Sequence, residues 1–489
     1  MNNDKPKSFC GIFGIFGNKN ASLRTYYGLH SLQHRGQEAA GIVSSNQNGE
    51  KHFHIERNNG LVSDVFHDLP NLIKTLPGNA AIGHNRYSTT GSSKSKKNIQ
   101  PFVVNYRLGN IAIAHNGNLT NAKEIREELV KDGAIFQSSS DTEVILHLIA
   151  RSKLDNQIDQ IKEALQKVKG AFCLVILTDD KLIAARDENG FRPFCLGKLG
   201  DSFIATSETC ALDINAAKYV RDIKPGEIVV IDKESIETGV VKSQWITEKP
   251  KEKNHCVFEY IYFSRPDSHI FGAPVDKMRR KLGKILALNH PVKDADGEKV
   301  LVMSVPDSSN TAALGYMRQL AKMGIPAKYD IGLIRSHYIG RTFILPGQES
   351  REMGVRVKFN TVKGVIAGNT IVVIDDSIVR GTTSKLLVKL LKEANPKAIH
   401  LRISSPPILY PCYYGMDFPS KAELIANKCE QNIEKIRKEL DVESLEYLTV
   451  DEMLEAMTDH SKEDFCTSCF SGKYPVPIND KFNKEEYDK

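Results

Sequence analysis

The chain has 489 residues with 66 basic and 60 acidic side chains, a net charge of +6 and no long basic run, so nucleic acid is a poor partner. That length exceeds one ordinary core and points to about three units. No apolar run approaches the ~20 residues that span a bilayer and MNNDKPKSF lacks the apolar segment of a secretory signal, so no membrane association and a cytoplasmic location are expected.

From Cys10 to about Trp245 the pattern is short apolar strands, opening with the Gly-punctuated CGIFGIFG, and two helical segments, Asn121 to Lys131 and Asp141 to Lys153. The charged stretch TEKPKEKN, 247 to 254, reads as a linker. Beyond it strand and helix alternate. KVLVMSV, 299 to 305, ends at Pro306 and Asp307, a helix follows through Met323, and IVVID and AIHLRIS continue a parallel pattern. After about Lys421 the chain reads as helical and charged, down to a polar tail, NKEEYDK, with the composition of a disordered segment.

Residues 371 to 384, IVVIDDSIVRGTTS, combine a β-branched strand, two adjacent acids, a loop dense in Gly and hydroxyls, and a following helix, SKLLVKLLKEANP. In such sheets ligands bind beyond the carboxyl ends of the strands. A Gly loop backed by a helix N-terminus suits a phosphate, and paired carboxylates beside it suit Mg²⁺ or sugar hydroxyls. A lone IVVIDD would equally be a buried strand with an acid-capped turn. With its loop, the segment resembles the phosphoribosylpyrophosphate-binding motif of type I phosphoribosyltransferases. The resemblance implies that Asp375 and Asp376, with Ser308 of VPDSSN, surround Mg²⁺ and the ribose. It implies that Ser377, Val379, Arg380, Gly381, Thr382 and Thr383 cradle the 5′-phosphate, and that Lys358 and Arg341 meet the pyrophosphate. Residues 335 to 347, RSHYIGRTFILPG, have Gly hinges and little periodicity, which suits a lid.

Cys10 alone would be a buried small hydrophobe. Four other segments change that reading: LQHRGQEAAGI (32–42), GHNRYSTTG (83–91), HNGNL (115–119) and SSSDTE (138–143). Together with Cys10 they resemble class II glutamine amidotransferases, which implies an Ntn-hydrolase αββα sandwich with its catalytic cysteine first in the mature chain. A free α-amine, with a pKa of about 7.7–8.0, can serve such a thiol as its base. Met1 to Phe9 are then a propeptide. The resemblance further implies that Arg86 holds the glutamine α-carboxylate, that Asp141 pairs with its α-ammonium, and that Asn116 and the Gly117 amide form the oxyanion hole. Asn85 departs from that family, where a small apolar residue is more usual.

Nine cysteines in a reducing compartment point to metal or catalytic roles over disulfides. CTSC, 466 to 469, lacks the βαβ context of a redox dithiol; with Cys256 and Cys412 it could hold zinc or an iron–sulfur cluster, which ligand type alone does not separate. The surroundings, HCVFEYIYFSRPDS, SSPPILYPCYYG and CTSCFSGKYP, resemble the iron-containing branch of the glutamine phosphoribosylpyrophosphate amidotransferases, where Cys256, Cys412, Cys466 and Cys469 would hold a structural 4Fe-4S cluster. Cys173, Cys195, Cys210 and Cys429 read as core residues.

The resemblance runs from Cys10 to about Pro475. It implies a propeptide (1–9), a glutaminase domain (10–246), a linker (247–254), a phosphoribosyltransferase domain with a parallel sheet (255–425) and a C-terminal helical wing (426–489). It further implies glutamine and phosphoribosylpyrophosphate as substrates, purine nucleotides as feedback inhibitors, and a homo-oligomer, commonly a tetramer. Two relatives fit less well. A sugar isomerase partner lacks IVVIDDSIVRGTTS, and a repressor would need a DNA-binding module and no Cys10. An inactive regulatory homologue that binds phosphoribosylpyrophosphate is the non-enzyme alternative, opposed by intact Cys10, Arg86, Asp375 and Asp376.

Overall fold

The structure, a computed structural model, describes residues 10–46, 52–87, 96–248, 252–294, 296–336, 356–457 and 459–478. The expected propeptide, Arg341 with most of the 335–347 segment, and the polar tail lie outside them.

The first half is two stacked antiparallel sheets between helical layers. In the seven-stranded sheet Gly11–Phe16 lies between Ser202–Thr206 and Ala80–Arg86; the six-stranded sheet is built around Gly109–Leu119 and Gly170–Thr178. Alternation along the first strand shows how the layers form. Ile12 and Phe16 point between the sheets with Ala112, Val175 and Leu182. Phe13 and Ile15 point the other way, into a core with Leu29 and Leu32 of the covering helical segment. Both faces are therefore buried, which is why CGIFGIFG reads as a continuous apolar run. Besides the two expected helices, Ala122–Lys131 and Thr142–Arg151, the structure contains Ala21–Ser31 and Gln157–Lys167. Asn156 caps the last of these, accepting from the amides of Ile158 and Asp159 at 2.8 and 3.3 Å.

The second half is a five-stranded parallel sheet in the order Ala327–Tyr329, Val300–Ser304, Thr370–Asp375, Ala398–Ile403 and Ser444–Tyr447. The stretch after Lys421 is thus not wholly helical, because it supplies the edge strand Ser444–Tyr447. Val300, Val302, Val372 and Ile374 face one core, and Leu301, Met303, Ile371 and Val373 face the other. The first of these cores also takes in Ala171 and Phe191 of the N-terminal half, so the halves share apolar packing. Ends of the 247–254 stretch are tied to the first half, the Asn254 amide donating to the Asn189 carbonyl at 2.8 Å. Among the described residues no helix is long and apolar enough to cross a membrane.

Helices Val275–Asn289 and Asn310–Lys322 cross closely because each presents a glycine. A Cβ on Gly315 would lie 2.1 Å from the Arg280 carbonyl oxygen, and one on Gly283 1.8 Å from that of Ala312. Gly315→Ala gains about 1 kcal/mol of helix propensity, but overpacking costs about 1–3 kcal/mol and a backbone carbonyl cannot swing aside. Its urea midpoint should fall below that of the unmodified protein. Gly364→Ala, where a Cβ meets nothing within 4 Å, should match or exceed it.

Candidate active sites

Pairing of Gly11 with Asn85 brings Cys10 to the end of the strand that carries Arg86. The Cys10 thiol donates to the Tyr87 carbonyl at 3.6 Å. Burial pushes that thiol up to about 11, with Arg86 drawing it down and Asp141 pushing it further up, so all three share one electrostatic environment. Asp141 opens the helix Thr142–Arg151, accepts the Leu119 amide at 3.0 Å and the Thr142 hydroxyl at 3.3 Å, and lies 3.6 Å from His115 Nδ1. Burial opposes its charge, but His115 and these donors outweigh it and hold the carboxyl below its ordinary value. Asn116, beside His115, has no exposure, and among the described residues neither of its side-chain polar atoms has a hydrogen-bond partner. A buried, unpaired amide is costly. Gly117 has φ +155 and no room for a side chain, a Cβ falling 2.0 Å from the Ala171 carbonyl oxygen. Asn85 points away from this group, its amide donating to the Leu29 carbonyl at 2.7 Å.

In the second half Asp375 and Asp376 are both buried at the carboxyl end of the central strand. Their oxygens accept from hydroxyls on three residues: Ser309 to Asp375 at 3.3 Å, Ser308 to Asp376 at 2.5 Å and Ser377 to Asp376 at 2.7 Å. Gly381 takes φ +81 immediately before the helix Thr382–Lys392, and a Cβ there would meet Ile425 at 2.3 Å. This turn demands glycine twice over. The loop is braced from outside, with the Ile425 amide donating to the Val379 carbonyl at 2.9 Å and Arg380 pairing with Glu423 at 3.2 Å. Thr382 is exposed, while Thr383 helps line a small hollow with Phe359, Asp375, Ser377 and Val379. Lys358 is not in the lining of that hollow, although its chain neighbour Phe359 is; burial and the neighbouring Arg335 guanidinium lower its pKa. Arg335 itself reaches Asp307 at 3.2 Å.

Cys256 and Cys466 are directly paired in a short parallel ladder. The Cys469 carbonyl accepts the amides of Leu409 and Tyr410, both at 3.0 Å, and the Tyr414 amide donates to the Cys412 sulfur at 3.4 Å. All four are buried free thiols. Burial pushes Cys256 up to about 12 and Cys466 up to about 11; on Cys469 burial is joined by the fields of Cys256, Cys412 and Cys466. The four therefore converge, although among the described residues no three His, Cys, Asp or Glu are close enough together to hold one metal ion. Cys173, Cys195, Cys210 and Cys429 are also buried.

One cluster has no counterpart in the sequence reading. Arg35 is fully buried between Glu208, which its Nε contacts, and Glu259, which accepts from Nη2 at 2.6 Å. Arg192, also fully buried, reaches the same Glu259 at 3.4 Å. Glu208 also accepts from the Ser268 hydroxyl at 2.7 Å, and Arg35 Nη2 donates to the Ser264 hydroxyl oxygen at 3.1 Å. The available signal was Glu259, a lone acid inside the aromatic run FEYIYF, since a buried carboxylate requires a partner.

Residues 84–213 match the model of the glutamine amidotransferase domain. Over nearly its whole length the chain is similar to the chloroplastic amidophosphoribosyltransferase of Vigna aconitifolia, at 48% identity over 97% of this chain and 92% of the relative. The amidophosphoribosyltransferases of Methanocaldococcus jannaschii (46%; 96% of this chain, 98% of the relative) and Bacillus subtilis (45%; 96% and 94%) are similar as well. Among solved structures it superposes with a TM-score of 0.88 and 43% identity on one described as the allosteric regulatory enzyme of purine biosynthesis, covering 98% of this chain and 99% of that one. It superposes with a TM-score of 0.87, again at 43% identity, on the B. subtilis glutamine phosphoribosylpyrophosphate amidotransferase complexed with ADP and GMP, covering 96% and 98%.

In chain that retains Met1 to Phe9, alkylation of Cys10, followed by peptide mapping, should keep accelerating past pH 9.0, the ordinary thiol value, and level only near about 11. A plateau below 9.0 would show that burial does not govern this thiol.

Proposed function

The chain belongs to the amidophosphoribosyltransferase family, and on that premise we propose which of its residues carry out each half of the reaction. The enzyme uses glutamine to make 5-phosphoribosylamine from phosphoribosylpyrophosphate, a step of purine biosynthesis. Asn116 carries the assignment of the first half: an amide with no exposure and no partner among the described residues has a use where an oxyanion forms beside it.

Removal of Met1 to Phe9 frees the α-amine of Cys10, which takes the thiol proton as sulfur attacks the glutamine carboxamide. Arg86 holds the substrate α-carboxylate, Asp141 its α-ammonium, and Asn116 with the Gly117 amide receives the oxyanion. The amine returns its proton to the departing ammonia, and water releases glutamate from the thioester. In the second half ammonia displaces pyrophosphate at C1 of the ribose. Ser377, Val379, Arg380, Gly381, Thr382 and Thr383 hold the 5′-phosphate, helped by the helix N-terminus behind them. Lys358 and Arg341 take the pyrophosphate. Asp375, Asp376 and Ser308 offer hard oxygen donors suited to Mg²⁺, which when bound would neutralise the leaving pyrophosphate.

The four thiols fit a 4Fe-4S cluster by donor type and by their shared burial, and a cluster accepts ligands spread more widely than one zinc ion does. Its role is structural, because its ligands come from three distant stretches of the chain. Purine nucleotides as feedback inhibitors are supported by the ADP and GMP of the B. subtilis relative. A tetramer and a cytoplasmic location complete the reading, the latter favoured by nine free cysteines.

Cys10→Ala should abolish synthesis from glutamine while leaving synthesis from ammonium salt largely intact, whereas Asp375→Asn should depress both. Asn116→Ala should cost about 10² to 10³ in glutamine turnover. Loss of both activities in folded Cys10→Ala would overturn the division between the sites.

Purified anaerobically, the protein should be brown, with iron and acid-labile sulfide in equal amounts, about four of each per chain. Stoichiometric zinc in colourless protein would refute the cluster.

A further inference from the structure

Two consecutive residues of the glutaminase half, Phe191 and Arg192, hold the cysteine cage from outside. The Phe191 carbonyl accepts the Cys256 amide at 3.0 Å, and its ring stacks on Tyr414 with centroids 4.3 Å apart and planes at 18°. Arg192 Nη2 donates to the Tyr414 carbonyl at 2.7 Å, and the amide of that same tyrosine donates to the Cys412 sulfur at 3.4 Å. One arginine thus fixes the residue that bonds one thiol, next to the residue that anchors another.

Its charge is the second observation. Arg192 is fully buried, and the groups that act on it electrostatically include Cys256, Glu259 and Cys412. The Glu259 carboxylate sits 2.6 Å from Arg35 but 3.4 Å from Arg192. Arg35 is therefore the closer partner of Glu259. Arg192 also ties the two halves together. The Tyr414 bond and the proximity of Cys256 and Cys412 go beyond such a tie.

We propose that Arg192 is the counter-ion of the cysteine cage, setting the reduction potential and oxidative durability of the cluster held there; this rests on the cluster reading above. A cluster on four thiolates is net negative, and its potential follows nearby charge and hydrogen bonding. A buried guanidinium stabilises the more negative, reduced form and so raises the potential. Glu259 partly cancels that field.

The test compares anaerobically purified wild-type protein with Arg192→Gln, Arg192→Lys and Glu259→Gln, each titrated for midpoint potential and for the rate of iron release to a chelator under a mild oxidant. Arg192→Gln should lower the potential and release iron severalfold faster, Arg192→Lys should lie close to wild type, and Glu259→Gln should raise the potential. Shifts of opposite sign are beyond a merely structural tie. If Arg192→Gln does not fold, Glu259→Gln decides, because it leaves Arg192 in place. Wild-type protein without iron and sulfide would overturn the cluster reading and this inference with it. A loaded wild type whose potential is unmoved in the variants that fold would overturn the counter-ion role alone.

Discussion

Arg35, Arg192, Glu208 and Glu259 are held at the join between the two halves with no exposure to water. Charges in such a place are expensive to desolvate, and what they return is geometry: each ion has few acceptable partners, so only one docking of the halves satisfies all four. Arg35 comes from a loop after the first helix, Glu208 from the end of a sheet strand, and Glu259 from the first turn beyond the linker. Removing one member would strand a buried charge at a cost of about 3–5 kcal/mol. The shared apolar core, in which Phe191 packs with transferase residues, supplies cohesion, while the ion cluster supplies register.

That register has consequences for both ends of the molecule. Arg192 and its neighbour Phe191 connect the ion cluster to the cysteine-bearing segments, and Arg279, which donates to the Ser264 carbonyl at 2.8 Å, also feels the charge of Asp376. A continuous set of buried polar contacts therefore runs from the helix-and-loop layer behind Cys10 toward the acids of the transferase. Burial makes each reactive group reluctant in isolation. The thiols of Cys10, Cys256, Cys466 and Cys469 are all pushed toward their neutral forms.

Local structure was legible in the sequence where its signals are contiguous. The strand, acid pair, Gly381 and helix start read at 371–384 follow one another in the structure in that order. Helix Ala21–Ser31 was missed because SLRTYYGLHS carries no clean apolar stripe, its Gly28 being needed where the helix lies on Phe13. Strand Ser444–Tyr447 was missed because a four-residue edge strand between charged helices leaves almost no periodic signal. The ion cluster was illegible for another reason: Arg35 and Glu259 are 224 residues apart, and only the fold brings them together.

The central claim is that two chemistries are run by one body, nitrogen release at Cys10 and its transfer at Asp375 and Asp376. Its most direct test gives processed protein both glutamine and phosphoribosylpyrophosphate and follows glutamate and pyrophosphate in the same vessel. The account predicts that both accumulate at equal rates and that pyrophosphate release stops when glutamine is withheld. Glutamate forming without pyrophosphate, or pyrophosphate released with no regard to glutamine, would contradict it.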